Sequence, residues 1–273
     1  MTGRVSLAGL DFDKISEADL IRQVAAAITA GSGGTIVTPN VDICRRARRD
    51  PASRALVQSA SLVVPDGMPL LWASRLAGDP LPERVTGADL IFSLSRAAET
   101  GSWPVFLVGG LPGTDGQPGV AELAAGRLAA RFAGLKVAGA YSPPDRFDAA
   151  AGDISELTGL LEASQPRLVF VGLGFPKQEL LIARLRAVLP QAWFIGCGAA
   201  IPFAAGQVSR APAWVQRIGM EWSYRLLKEP RRLVRRYLAD DLPFAFWLLA
   251  ASGWHRLRRD RATSASSGSG QAS

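Results

Sequence analysis

Histidine is almost missing from this sequence. Among 273 residues only His255 occurs, set among arginines near the C-terminus. That excludes His-ligated zinc, most Ser-His-Asp chemistry and a histidine general base, so any acid–base step falls to a carboxylate. Cysteine is scarce as well. Cys44 and Cys197 lie far apart with no metal-ligand spacing, and read as buried free thiols of a reducing compartment rather than as a disulfide. No run of about 18 apolar residues appears, so no transmembrane helix is expected. The opening MTGRVSLAGLDFDKIS has no apolar stretch ahead of a cleavage site, so no secretory signal is expected and a cytoplasmic location is. No internal repeat is evident.

What is present is a globular chain with 48% hydrophobic and 20% charged residues, long enough for one large core and a small appended module. Its charge is unevenly placed. From Arg210 onward there are twelve Lys or Arg against five Asp or Glu, which accounts for the whole net charge of +7, while Met1–Ser209 carries nineteen of each sign. The excess therefore belongs to the C-terminal part, whose natural partners are phosphates: nucleic acid, anionic lipid or a diphosphate substrate.

The neutral part alternates short apolar runs with helix-length segments. TIVTPN (Thr35–Asn40), SLVVPDG (Ser61–Gly67), PVFLVGG (Pro104–Gly110), KVAGAY (Lys136–Tyr141), RLVFVGLG (Arg167–Gly174) and AWFIGCG (Ala192–Gly198) read as strands. Asp50–Ser59, Gly119–Phe132 and Lys177–Val188 read as helices between them. Apolar runs without polar alternation are covered on both faces, which predicts an α/β fold: a Rossmann-like, mostly parallel sheet covered by helices. The expected organisation is an α/β body over 1–209, a basic amphipathic helical appendage over 210–261, and a disordered Ser/Gly/Ala-rich tail over 262–273.

Parallel strands deliver their carboxyl ends to one edge, where open α/β sheets bind ligands. In VFVGLGFPKQE (Val169–Glu179) a strand runs into a turn at Gly174 and Pro176 that presents Lys177, Gln178 and Glu179 at a helix start. An ordinary loop with solvated polar residues would also fit that segment. Thr38-Pro39-Asn40, Asp66-Gly67 and Gly109-Gly110 end other strands at the same edge. Asp66 follows four strand residues and can project into a crevice there, or it can cap the helix that begins near Met68.

Taken in order, the TPN turn, the VPDG turn, Arg84 and Gly87 in PERVTGADL, LVGGLPG, VGLGFPKQE, GCGAA, RAPAW and GMEWSYRLLKEPRRLVRR resemble the WecG/TagA/CpsF glycosyltransferases, from about Thr35 to Tyr237. The resemblance implies an enzyme on the inner membrane face that moves a sugar from a UDP-sugar to a sugar carried on polyprenyl diphosphate. It implies inversion at the anomeric centre, no metal and no other cofactor, for surface-polysaccharide or teichoic-acid-linkage synthesis. Asp66 matches the family's base and Thr38 the threonine beside the reacting sugar. Asn40 and Gln178 match further pocket positions, and Arg225, Arg232 and Arg235 match arginines of the C-terminal module. Gly67, Arg84, Gly109, Gly110, Gly174, Lys177, Glu179 and Arg210 complete the expected binding set. One departure stands out: where the family reads Phe-Asp-Phe after the glycine run, this chain has Ile201-Pro202-Phe203. That puts the donor's contacts, and its identity, in question.

The chemistry needed agrees with these residue types. One carboxylate takes the acceptor hydroxyl's proton, and charge developing on the leaving diphosphate is met by helix N-terminal amides, Lys177 or bidentate arginines. In the appendage, Met220–Lys228 and Pro230–Leu238 show two short amphipathic helical patterns. PFAFWLLAASGW (Pro243–Trp254) is too short to span a bilayer. Flanked by arginines, it suits a helix lying in an anionic membrane interface with Phe246 and Trp247 inserted, or alternatively a core helix packed on the body. A nucleic-acid-binding protein without transferase activity would explain the charge but not Asp66 or the glycine turns, and no nucleic-acid motif is present. A Rossmann oxidoreductase would need the GxGxxG that the early strand turns lack. Homo-oligomerisation is left open by the sequence.

Overall fold

The protein is described here from a computed structural model covering residues 3–114, 116–208 and 240–268. It opens with a hairpin that the sequence reading did not anticipate, β1 (Arg4–Leu7) against β2 (Leu10–Asp13). Ala8 and Gly9 form its two-residue turn, both at positive φ (54° and 81°), the hand that suits strand twist. Val5, Leu7, Leu10 and Phe12 alternate into the core. Asp13 ties the hairpin down: it accepts from Arg4 Nε at 2.8 Å and from the backbone N–H of Val63 at 2.9 Å.

After α1 (Glu17–Thr29) come β3 (Gly34–Val37), α2 (Val41–Arg49), α3 (Pro51–Gln58), β4 (Leu62–Val63) and α4 (Met68–Leu76). Then follow α5 (Gly87–Gly101), β5 (Val105–Gly109), α6 (Val120–Arg131), β6 (Val137–Tyr141), α7 (Ser155–Ser164) and β7 (Leu168–Gly172). The body closes with α8 (Lys177–Val188), β8 (Trp193–Gly196) and α9 (Ala200–Ala204). The six strands from β3 onward form one parallel sheet in the order β4-β3-β8-β7-β5-β6. Each falls on an apolar run named above, β3 starting one residue earlier at Gly34, and the α/β class holds.

Both faces of the sheet are covered, which is why its strands carry no polar alternation. On one face Ile36, Leu107, Phe170 and Ile195 pack with Leu20, Leu90, Leu94 and Leu128 from the helices. On the other, Phe106, Val169, Val171 and Phe194 pack with Leu157, Leu161, Leu181 and Leu185. A third cluster joins the hairpin to α2, α3 and α4 through Phe12, Ile43, Ala47, Val57, Leu70 and Ala73. Burying each such large side chain contributes roughly 1.5–3 kcal/mol. Cys44 and Cys197 are free and buried, as expected.

The third cluster also contains Leu248, from α10 (Leu242–Gly268). Ala245, Leu248 and Ser252 are buried on this helix, while Phe246, Trp254 and Leu257 stay exposed. The segment thus packs one face on the body and leaves the other exposed. Trp247, 37% exposed, also touches the body: it stacks on Phe244 (centroids 5.2 Å apart) and lies 3.9 Å under the Arg48 guanidinium of α2. The helix continues to Gly268, into the stretch expected to be a disordered tail. No described helix is long and apolar enough to cross a membrane.

Candidate active site

The site is built where the strands end. Beyond β3 and β4 the backbone ladder continues for a few residues: the Val64 N–H donates to Val37 O at 3.1 Å and the Asp66 N–H to Pro39 O at 2.9 Å. A third segment joins through the Val85 N–H, 2.9 Å from Pro65 O. Thr38-Pro39-Asn40, Pro65-Asp66 and Arg84-Val85 therefore lie side by side. Asp66 and Arg84 are half-buried, and Thr38 is buried.

Two local details decide roles here. The residue at the start of α4 is Gly67, at φ 136°, and no side chain caps that helix. A turn with this backbone favours glycine, and it makes Gly67, not Asp66, the N-cap residue of α4. Asn40 does cap: its Oδ1 accepts from the Ile43 N–H at 3.1 Å and begins α2.

The next strand over is β8, then β7. Their ends are drawn together by glycines. A Cβ on Gly172 would stand 2.7 Å from Gly198 O, one on Gly109 2.6 Å from Gly172 O, and one on Gly87 2.8 Å from Cys197 Cα. The last contact brings the N-terminus of α5 against the end of β8. Gln178 bridges the two central turns. Its Oε1 accepts from the Gly174 N–H at 3.1 Å and from the Gly198 N–H at 3.0 Å, while its Nε2 donates to Glu179 Oε1 at 2.8 Å. Gly174 sits at φ 74° in that turn. Both long side chains are buried, and burial pushes the Glu179 carboxyl up to about 7 against the opposing donation from Gln178. Burial likewise pushes the Cys197 thiol up to about 12, leaving it an inert packing group.

Not every expected residue joins this centre. At about 4.8 Å per strand, the end of β5 with Gly109 and Gly110 lies ~19 Å along the sheet edge from Asp66. Those glycines answer to backbone geometry: φ is 143° and 75°, and a Cβ on Gly110 would meet Val120 at 2.3 Å. Lys177 is exposed; backbone hydrogen bonds from Ala151 and Ala150 hold Asp148 in the β6–α7 loop below the usual carboxylate range, with smaller help from the charges of Arg184 and Lys177. Glu179 is sunk behind Gln178 rather than presented at the edge. Pro202 falls inside α9, directly after the glycine turn of β8, where a missing N–H costs little in a first helical turn. Arg210, Arg225, Arg232 and Arg235 lie outside the described residues.

The sequence reading passed over two contributors. The Gly198 N–H is a bonded part of the central turn, legible only as one glycine in GCGAA. Asp42, buried on α2, pairs with Arg45 at 2.6 Å and Arg46 at 3.1 Å, and Arg45 in turn faces Asp240 and Asp241 at 3.5 and 3.6 Å. Acidic and basic residues four apart on a helix usually signal a solvated face, which hid this network.

The chain is 36% identical over 200 residues to the N-acetylglucosaminyldiphosphoundecaprenol N-acetyl-beta-D-mannosaminyltransferase of Bacillus spizizenii, covering 73% of each chain. It is 30% identical over 203 residues to the protein of the same name from Bacillus subtilis, covering 74% of this chain and 75% of that one. The model of the glycosyl transferase WecG/TagA/CpsF family matches residues 5–259. The chain therefore belongs to the WecG/TagA/CpsF glycosyltransferases and is a hexosyltransferase of that type.

Proposed function

We propose that this protein transfers N-acetylmannosamine, or a closely related hexose derivative, from a UDP-sugar to a sugar carried on polyprenyl diphosphate, inverting the anomeric centre without a metal. The observation that carries this reading is the grouping of Thr38, Asn40, Asp66 and Arg84 at one sheet edge, in a chain whose relatives are named for N-acetylmannosaminyl transfer. Asp66 takes the proton from the acceptor hydroxyl as that oxygen bonds to the anomeric carbon. The bond from that carbon to UDP breaks on the opposite face, and the electron pair leaves with the diphosphate. In this reading Arg84 and the arginines at 210, 225, 232 and 235 meet that charge, with bidentate donation suited to phosphate.

The acceptor's lipid chain calls for attachment at the inner membrane face. Phe246, Trp254 and Leu257 form an exposed stripe on α10, and Trp72 and Leu76 are exposed on α4, the helix that starts two residues after Asp66. Arg75, Arg256 and Arg258 are exposed beside them. An aromatic and aliphatic face with arginines at its margin fits an anionic interface, and α4 would then hold Asp66 near headgroup level. The test is incubation of the purified protein with radiolabelled UDP-sugars and a short-chain polyprenyl-diphosphate N-acetylglucosamine, with and without EDTA. Labelled disaccharide lipid formed equally in both supports the reading. Dependence on Mg²⁺ or Mn²⁺ removes its metal-free part, and no transfer from any UDP-sugar removes the reading.

A further inference from the structure

Gln178 is the only described side chain that joins the β7–α8 turn to the turn after β8, and it does so with its amide in one orientation. Its oxygen is committed to the Gly174 and Gly198 N–H groups. Its nitrogen therefore faces the other way, where Glu179 Oε1 accepts one N–H at 2.8 Å. A side-chain amide is nearly symmetric in shape, so only hydrogen bonding decides which end points where. Were the amide reversed, its NH₂ would confront two backbone N–H donors and its oxygen would confront Glu179. Glu179 is itself held: it is 4% exposed, and a Cβ on Gly196 would stand 3.0 Å from its Oε1 and 2.7 Å from Gln178 Nε2, so the bare glycine is what admits the pair. Its Oε2 is buried without a hydrogen-bond partner. A buried carboxyl with an unpaired oxygen costs stability, and a hydrophobic residue would pack there more cheaply, so folding alone does not explain it.

We infer that Glu179 is a positioning residue for the transfer reaction: it fixes the Gln178 amide so that the β7 and β8 turns are locked together and Gln178 can meet a ligand only as a donor, through its remaining N–H. This rests on the transferase reading above for its consequence in catalysis, but its structural half can be tested without turnover. A reacting geometry displaced by about 1 Å costs on the order of 100-fold in rate, which sets the scale expected when the lock is released.

Three variants separate the possibilities. Glu179→Gln keeps the shape and an acceptor oxygen, and should retain kcat within about threefold by preserving the bond to Gln178. Glu179→Met keeps the volume but offers no comparable acceptor. It should lose kcat by tenfold or more, on the order set by misplacement, with donor KM changed less and thermal stability equal or higher. In the same variant, amide hydrogen exchange at Gly174 and Gly198 should quicken, a readout independent of any sugar transfer. Should Glu179→Met fail to fold, Glu179→Asp, which withdraws the acceptor by one methylene, carries the same expectation. Wild-type kcat and unchanged exchange in Glu179→Met would overturn the inference. So would a Glu179→Gln variant as impaired as Glu179→Met, because the carboxyl's own proton or charge would then be what matters. Quickened exchange without transfer in any form, wild type included, would leave the lock standing and count against the transferase reading instead.

Discussion

At the scale of single residues, burial sets the protonation of the Glu179 carboxyl. Its value stands at about 7 against an ordinary 4.5, because desolvation outweighs the donation from Gln178. The folded state thus holds the proton more tightly than the unfolded chain. The associated stability is fully present below about pH 4.5 and is lost as pH rises through about 7. Glu179→Gln cannot ionise, so its unfolding free energy should gain on wild type by on the order of 2 kcal/mol between about pH 5 and pH 8. Denaturant titration at the two pH values measures this, and parallel behaviour of the two proteins would show that the carboxyl ionises freely when folded. Asn40 allows a second separation at this scale. Removing its cap in Asn40→Ala should cost about 1 kcal/mol, and Asn40→Ser should restore most of it. If Asn40 also contacts the sugar, Asn40→Ser recovers the melting temperature but not the transfer rate; recovery of both would reduce Asn40 to a cap.

At the scale of elements, what could be read in advance followed from how locally each feature is determined. The six parallel strands were legible because burial on both faces removes polar residues from a short run, and that signal needs no partner. The limits of α8 at Lys177–Val188 were legible because Pro176 and the glycine turn mark its start. The hairpin was missed although RVSLAGLDFD alternates, because Ala8 is not a residue expected at positive φ in a turn. Which strands are neighbours is a long-range property: the order β4-β3-β8-β7-β5-β6 puts Gly109 far from Asp66, and nothing local in either turn says so. Asp66 itself was legible as a carboxylate at a strand end, but that Gly67 rather than Asp66 is the N-cap residue of α4 came from the structure. The network of Asp42, Arg45 and Asp241 was not legible, since Asp241 meets Arg45 only through the fold. That network gives a prediction for α2. Arg45→Met removes the cation shared by Asp42, Asp240 and Asp241 and should destabilise the protein by about 3 kcal/mol, as expected for a broken buried pair. Denaturant unfolding reads it, and a loss under about 1 kcal/mol would show that solvent already screens the pair.

For the whole molecule, α10 links the body to its surroundings. Leu248 and Ala245 are part of the core that includes Leu70 and Ala73, so truncation after Ser209 should leave a folded sheet with lowered thermal stability rather than an unaffected body. Phe246→Ala, Trp254→Ala and Trp72→Ala should each weaken binding to anionic vesicles while sparing transfer to a short-chain acceptor, because these side chains face outward. Trp247→Ala should instead lower stability through the lost contacts with Arg48 and Phe244. Vesicle co-sedimentation and melting curves together distinguish the two classes, and equal vesicle binding by all variants would move the docking surface elsewhere.

The proposed role of Asp66 as the base at the β3–β4 edge is reached most directly by one measurement: single-turnover transfer by Asp66→Asn with the short-chain acceptor, alongside calorimetric binding of the UDP-sugar. The expected result is a rate lowered by roughly 10²–10⁴-fold, the range for a positioned general base, with donor affinity little changed. A rate within about threefold of wild type, well short of that range, would contradict it.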